Sequence, residues 1–389
     1  MSATTGEVRF APQAIGELEI AEVVATLRSG WLSTGPRVAE FEQAFAAYTG
    51  APHAIALNSC TAGLHLSLLA AGVGPGDEVV TTPLTFCATA NTVVHVGATP
   101  RFADVDPLTW NLSPASVLGA LSPRTRAVIP VHYAGRPAAV SAFREIANRY
   151  GLVLVEDAAH CVEGRAEGAK IGTTGDLTCF SFYATKNLTT GEGGMVTTAS
   201  AEWAARIRTL SLHGMSRDGW ARYGRGGTPH YDVVMPGYKY NMMDLQAAIG
   251  LHQLAGIADR LRRREAIWRM YDEALADLPV TRPAAPARGD VHARHLYTIL
   301  VDCDAGWQRD DLVEALSRDG ISTSVHFRAV HLHSYYRDRF GLTRGMFPVA
   351  ERISDSTISL PLSAAMTDGD VALTIDALRR RLLRMRGAA

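Results

Sequence analysis

Leu152-Val153-Leu154-Val155-Glu156-Asp157-Ala158-Ala159-His160 is the stretch that decides the fold. Four consecutive apolar residues with nothing polar between them suit a strand buried on both faces. That is the condition of a parallel sheet covered by helices, not of a half-solvated hairpin. The acids close the run, at the strand end where open α/β sheets present functional groups. Working outward, strand-like runs occupy 54–57, 78–81, 99–103, 127–131, 152–156, 179–182 and 194–197, and helical patterns at 62–71, 137–150 and 202–210 separate several of them. The alternation predicts an α/β fold, a large domain whose mainly parallel central sheet lies between helices.

From Asn241 to about Leu275, Leu245, Ile249, Leu251, Leu254, Ile257 and Leu261 recur at helical spacing and predict one long connector helix. Arg260 and residues 262–264 on it read as a solvated face, with a contact to substrate phosphate as the alternative. Pro279, Pro283, Pro286 and Gly289 mark a linker. Beyond it, strands at 295–301 and 322–327, a helix at 309–319 and a C-terminal helix from Asp368 make a smaller α+β unit. The expected division is an N-terminal segment, 1–32, packing near the small domain; a large domain, 33–250; and the connector helix with the small C-terminal domain, 251–389. The closing RRRLLRMR (379–386) reads as an exposed helix end, not a membrane anchor.

With 389 residues, 47% apolar and 20% charged, the chain can bury a large core, which excludes disorder. A net charge of −1 argues against a nucleic-acid partner. Of its 38 basic side chains, only Lys170, Lys186 and Lys239 are lysines and the other 35 are arginines. A high-GC genome accounts for most of that bias, so each surviving lysine raises a question. Five scattered cysteines without a C-x-x-C pair predict neither a disulfide framework nor a zinc site, and no metal is expected. Residues 1–10 hold no apolar leader, and the uncharged stretches 54–76 and 79–100 are broken by Asn58, Pro75, Pro83, Asn91 and His95. A cytoplasmic protein with no membrane partner is expected.

The strongest chemical signal is FSFYATKN (180–187) followed by GEGG (191–194). An amine that follows an apolar strand sits in low dielectric, which lowers its pKa and makes it nucleophilic enough to form a Schiff base. An exposed loop lysine is the plain alternative. Asp157, about 30 residues upstream at another strand end, suits the acid that keeps the pyridine nitrogen of pyridoxal 5′-phosphate (PLP) protonated, or else a helix N-cap. Residues 54–64 read strand, small polar turn, helix, which puts free N–H groups near Thr61 and Ala62 as a phosphate seat. Ser181 can add its hydroxyl, Phe86 can stack on the ring or belong to the core, and His160 can lie by the ring or be structural.

Taken together, NSCTAGLHLSLLA (58–70), GDEVVTTPLTF (76–86), GATPRFADVD (97–106), PVHYAGRPA (130–138), VEDAAH, FSFYATKN, GEGG, PGYKYNMMDLQAAI (236–249), SVHFRAVH (324–331) and ISLPLS (358–363) resemble the DegT/StrS-type sugar aminotransferases. These are PLP enzymes of fold type I, the fold of aspartate aminotransferase, and the likeness covers nearly the whole chain. It implies that Lys186 bonds the cofactor and carries the proton, and that Asp157 pairs with the pyridine nitrogen. It also implies that Phe86 and His160 lie against the ring and that Thr61, Ala62 and Ser181 hold the phosphate. A homodimer with shared active sites is implied, the partner loop being placed at Lys239 and Asn241, which read on their own as turn and cap residues. His326 is a sugar-side candidate. A departure is Ala184, where many members have proline.

The implied reaction moves an amino group from L-glutamate, leaving 2-oxoglutarate, to the C4 keto group of a nucleotide-linked sugar. NSCTAGLHLSL, VHYAG and PGYKYN look most like the branch acting on UDP-4-keto-arabinose, whereas the high-GC usage leans toward a dTDP-4-keto-6-deoxyhexose of antibiotic and other secondary-metabolite biosynthesis. C3 amination, a cyclitol substrate, a dehydratase and a non-catalytic PLP-dependent regulator are the competing readings.

Overall fold

The computed structural model describes residues 6–215, 231–301 and 308–386. Nine strands lie between residues 53 and 198: β1 (His53–Leu57), β2 (Glu78–Thr81), β3 (Thr99–Phe102), β4 (Thr125–Ile129), β5 (Val153–Asp157), β6 (Arg165–Ala166), β7 (Ala169–Lys170), β8 (Leu177–Ser181) and β9 (Gly194–Thr198). Seven of them form the central sheet in the order β1-β9-β8-β5-β4-β2-β3. β8, β5, β4, β2 and β3 pair in parallel, and β9 is antiparallel to β1 and β8 on either side. Every strand but β9 therefore ends on one rim. That rim gathers Ser59 after β1, Asp157 at the end of β5 and Lys186 after β8. The short pair β6-β7 stands apart.

Helices cover both faces of the sheet. On one side Phe41 and Phe45 of α2 (Pro36–Thr49), Phe143, Phe180, Phe182 and Ala247 share a core. On the other, α3 (Cys60–Ala70) packs with Val93, Ile207 and Leu210. α3 is buried almost all round, which its run of small and apolar residues permits. Burying Phe41 or Phe45 fully contributes roughly 1.5–3 kcal/mol each. Gly250 lets the helix Asp244–Ala255 approach, since a Cβ there would sit 2.7 Å from the Phe41 ring. The buried Asp244 carboxylate caps α2, accepting from the Gly35, Arg37 and Val38 amides at 2.7, 3.1 and 3.0 Å.

The outer edge of β1 is covered by side chains: the Ala56 amide donates to Glu42 Oε1 (2.8 Å), and Arg208 Nη2 donates to the Ala54 carbonyl (2.9 Å). Farther along, the Asn58 amide donates to the Tyr240 carbonyl (2.7 Å), and Asn241 bridges to Leu57.

The expected connector is two helices, Asp244–Ala255 and Ile257–Ala274, with Gly256 between them. Apolar periodicity alone does not register such a break. The smaller sheet holds β10 (Val280–Thr281), β11 (Tyr297–Val301) and β12 (Thr357–Leu360) in antiparallel order β10-β11-β12. Residues 322–327, expected as a strand, keep only a single bridge from Ser324 to Ser359. The segment peels away from the sheet, which carries His326 and Phe327 to the cavity. At the N-terminus Val8 bridges to Ile321, and the helix α1 (Glu17–Ser29) lies against Asp244–Ala255, with Gln253 Nε2 donating to Glu19 Oε1 at 2.7 Å. The C-terminal arginines are held by acids: Arg379 pairs with Asp277 (2.7 Å), and Arg381 with Asp319. Among the described residues no helix is long and apolar enough to cross a membrane. Cys60, Cys87, Cys161 and Cys179 are free thiols, and Cys303 lies outside the described residues.

Candidate active site

At the gathering rim a cavity of about 570 Å³ opens between the large sheet and the segment 324–327. Thr61, Phe86, Asp157, His160, Ser181, Lys186 and His326 all line it, although they span 266 positions of sequence. The size suits a cofactor together with part of a substrate.

Lys186 leaves β8 through a tight turn, its amide donating to the Tyr183 carbonyl at 2.9 Å. The next residue anchors the turn: Asn187 Nδ2 donates to Glu163 Oε2 (2.9 Å) and to the Ala293 carbonyl (2.8 Å), while its Oδ1 faces His295 Nδ1 at 3.0 Å. Burial pushes the Lys186 amine down to about 8, against the opposing pull of Cys60 and Asp157. A substantial unprotonated fraction near neutrality is what a lysine nucleophile needs.

Asp157 is buried, and burial raises its pKa; hydrogen bonds hold the charge against that push. Oδ2 accepts from Thr89 Oγ1 at 2.7 Å, and Oδ1 from the Ala159 amide at 3.1 Å. Across the cavity Ser59 caps α3, its Oγ accepting from the Ala62 amide at 3.1 Å. Ala62 is thus buried and already partnered, while Cys60 and Thr61, at the positive end of α3, line the cavity. Gly194 opens β9 directly beneath this turn. A Cβ there would lie 2.4 Å from the Ser59 carbonyl carbon and 2.5 Å from the Cys60 nitrogen, so only glycine fits.

His160 is buried between two rings, with Phe327 stacked at 5.9 Å and His295 at 4.4 Å, and its Nδ1 has no partner. Phe86 stays 60% exposed at the cavity wall, 6.2 Å from Phe327. Burial holds His326 neutral, down to about 3; its Nδ1 meets Ser359 Oγ at 2.9 Å and its ring stacks on Phe10. Besides Ala62, two predicted residues fall outside the cavity. Lys239 is exposed, and its carbonyl accepts from Asn58 Nδ2 at 3.3 Å; Asn241 Nδ2 donates to Thr34 Oγ1 at 2.6 Å. Sequence reading missed Thr85, Thr89, His295 and Phe327. Thr85 precedes the helix Cys87–His95, so its spacing of four from Thr89 gave no local sign of their pairing.

An anion seat at a helix start, a buried acid and a half-buried, desolvated amine open on one cavity, with the orphaned His160 nitrogen beside them. That set fits PLP, and the fold and site define a PLP-dependent transferase of fold type I. The chain belongs to the DegT/DnrJ/EryC1/StrS aminotransferase family, whose model matches residues 13–379. It is 51% identical over 368 residues to the spore coat polysaccharide biosynthesis protein SpsC of Bacillus subtilis (strain 168), covering 94% of each chain. Spr1654 from Streptococcus pneumoniae, assigned as a sugar aminotransferase and solved in its PMP form, superposes with a TM-score of 0.90 at 32% identity, over 98% of this chain and 99% of that one. Helicobacter pylori PseC, an aminotransferase involved in the biosynthesis of pseudoaminic acid, gives 0.90 at 26% identity, over 97% and 100%.

Proposed function

We propose that the protein transfers the amino group of L-glutamate to the C4 keto group of a nucleotide-linked keto sugar, releasing 2-oxoglutarate and the amino sugar nucleotide. The observation that carries the reading is the meeting of Lys186, Asp157 and the start of α3 on one cavity. When bound, PLP supplies an electron sink for the carbanion character that develops at the donor's α-carbon and at the sugar carbon. Lys186 takes the proton from the first carbon and returns one to the second. Asp157, ionised, keeps the pyridine nitrogen protonated, while Phe86 and His160 confine the ring. Thr61, the Ala62 turn and Ser181 hold the phosphate against the positive end of α3.

His326, neutral and at the opposite wall, contacts the sugar. Two copies of the chain form the working unit, with Lys239 and Asn241 of each reaching the other's cavity, and the reaction takes place in the cytoplasm. Identity to a spore coat polysaccharide protein turns the expected destination of the product from secondary metabolites toward a surface polysaccharide. Lys186 itself disfavours the dehydratase reading, since the family resemblance implies histidine at this position for that reaction.

The test is a reverse assay: a panel of UDP- and dTDP-amino sugars, aminated at C4 or C3, and aminocyclitols is offered with 2-oxoglutarate. Glutamate formed from a C4-amino sugar nucleotide supports the reading. Turnover restricted to a C3-amino sugar or a cyclitol overturns it.

A further inference from the structure

Two buried threonines stand behind Asp157. Thr89 Oγ1 lies 2.7 Å from Asp157 Oδ2, and Thr85 Oγ1 lies 2.8 Å from Thr89 Oγ1. Thr89 is fully buried and Thr85 is 2% exposed, so bulk water does not compete for these hydroxyls. Each hydroxyl has one hydrogen to give. An ionised carboxylate has none, so the Thr89 hydrogen points to Asp157 and the Thr89 oxygen takes the hydrogen of Thr85. The chain then has one direction, Thr85 to Thr89 to Asp157, and Thr85, which lines the cavity, keeps only acceptor capacity there.

We propose that Thr89, oriented by Thr85, is a positioning residue for amino transfer: it fixes the Asp157 carboxylate in place and in its ionised form. The inference rests on the reading of Asp157 as the partner of the cofactor's pyridine nitrogen.

Local structure gives Thr89 that position. α4 (Cys87–His95) begins with Phe86 as its N-cap, and the Thr89 amide donates back to the Phe86 carbonyl at 3.2 Å. One helical turn therefore presents Phe86 to the cavity and Thr89 to the acid. A second tie holds the turn, Thr92 Oγ1 donating to the Thr89 carbonyl at 3.0 Å. Burial favours a neutral carboxyl at Asp157, and the Thr89 hydroxyl leads the interactions that oppose it. A proton on Asp157 Oδ2 would reverse the whole chain, sending that hydrogen to Thr89 and the hydrogen of Thr85 into the cavity. The acid would then have no charge with which to hold a pyridinium.

The test compares Thr89→Val, nearly isosteric, with Thr89→Ser, Thr85→Val and Asp157→Asn, each purified as the PLP holoenzyme. Steady-state kinetics and the pH dependence of the visible cofactor band are measured for each. Thr89→Val should lower kcat by about 10- to 100-fold, the worth of a hydrogen bond to a charged group, with KM little changed and the band's pH dependence displaced. Thr89→Ser should restore both readouts. Thr85→Val, which removes a neutral bond, should cost about fivefold in kcat.

Wild-type kcat and an unmoved band in Thr89→Val, with Asp157→Asn inactive, would overturn the role of Thr89 alone. An active Asp157→Asn would instead overturn the reading of the site on which it rests. Should Thr89→Val not fold, Thr85→Val decides: a lowered kcat with a displaced band supports the chain, and wild-type behaviour in both overturns it.

Discussion

Lys170 is buried and Lys186 half-buried, and desolvation pushes both amines down to about 8. Their surroundings differ. Lys170 ends β7 with its Nζ 2.8 Å from the Tyr48 hydroxyl and 4.1 Å from the centre of that ring. Lys186 borders the 570 Å³ cavity with Asp157 and the start of α3. A lowered pKa is therefore common to a lysine packed against a ring and to one that faces a cavity. Open space and converging groups make the difference, and they also separate Lys186 from the exposed Lys239.

The largest expected effect is at Lys186. Lys186→Ala should lower turnover by on the order of 10³-fold and abolish borohydride fixation of PLP to the peptide containing residue 186, as read by mass spectrometry. Label found on Lys170 instead would invert the comparison. Gly194→Ala keeps the amine but forces a Cβ against the Ser59–Cys60 turn. It should destabilise the fold by about 1–3 kcal/mol, seen in Tm, and weaken PLP binding in equilibrium titrations. Unchanged PLP affinity would mean that the amine's setting matters and the helix start does not.

A subtler effect concerns pH. Lys186 is protonated below about 8 and unprotonated above it, so the rate of PLP loading by the apoenzyme, followed by absorbance, should rise with pH through about 8. A rise centred near 10.5 would show that the amine is not held in a buried state before the cofactor arrives. The smallest effect is expected at the other lysine. Lys170→Met should leave kcat within about threefold of wild type, because Lys170 lines no part of the cavity, and should lower Tm by only a few degrees for the lost hydrogen bond to Tyr48.

Much of this contrast was legible in the sequence, because strand ends were. The runs before Asp157 and Lys186 are uniformly apolar, and such runs locate buried strands and the rim where they stop. The acid and the amine could thus be paired before any contact was known. What stayed hidden depended on contacts made across the fold. Thr89 reaches Asp157 from 68 positions away, and nothing local in TPLTFCAT distinguishes a threonine that caps from one that serves a distant carboxylate. The segment 322–327 reads as a strand from its β-branched and aromatic residues, yet it keeps one bridge because its side chains are drawn to the cavity wall. The break at Gly256 escaped for a related reason, since apolar spacing continues in phase on both sides of it.

The sealing of β1 bears on how the protein can associate. An open strand edge is a template onto which another extended chain can zip, a route to aggregation. Here Glu42 and Arg208 have already consumed the Ala56 amide and the Ala54 carbonyl, and Tyr240 has taken the Asn58 amide. With Glu42, Arg208 and the bridge from Asn241 in place, little of this edge is left on which another extended chain could pair.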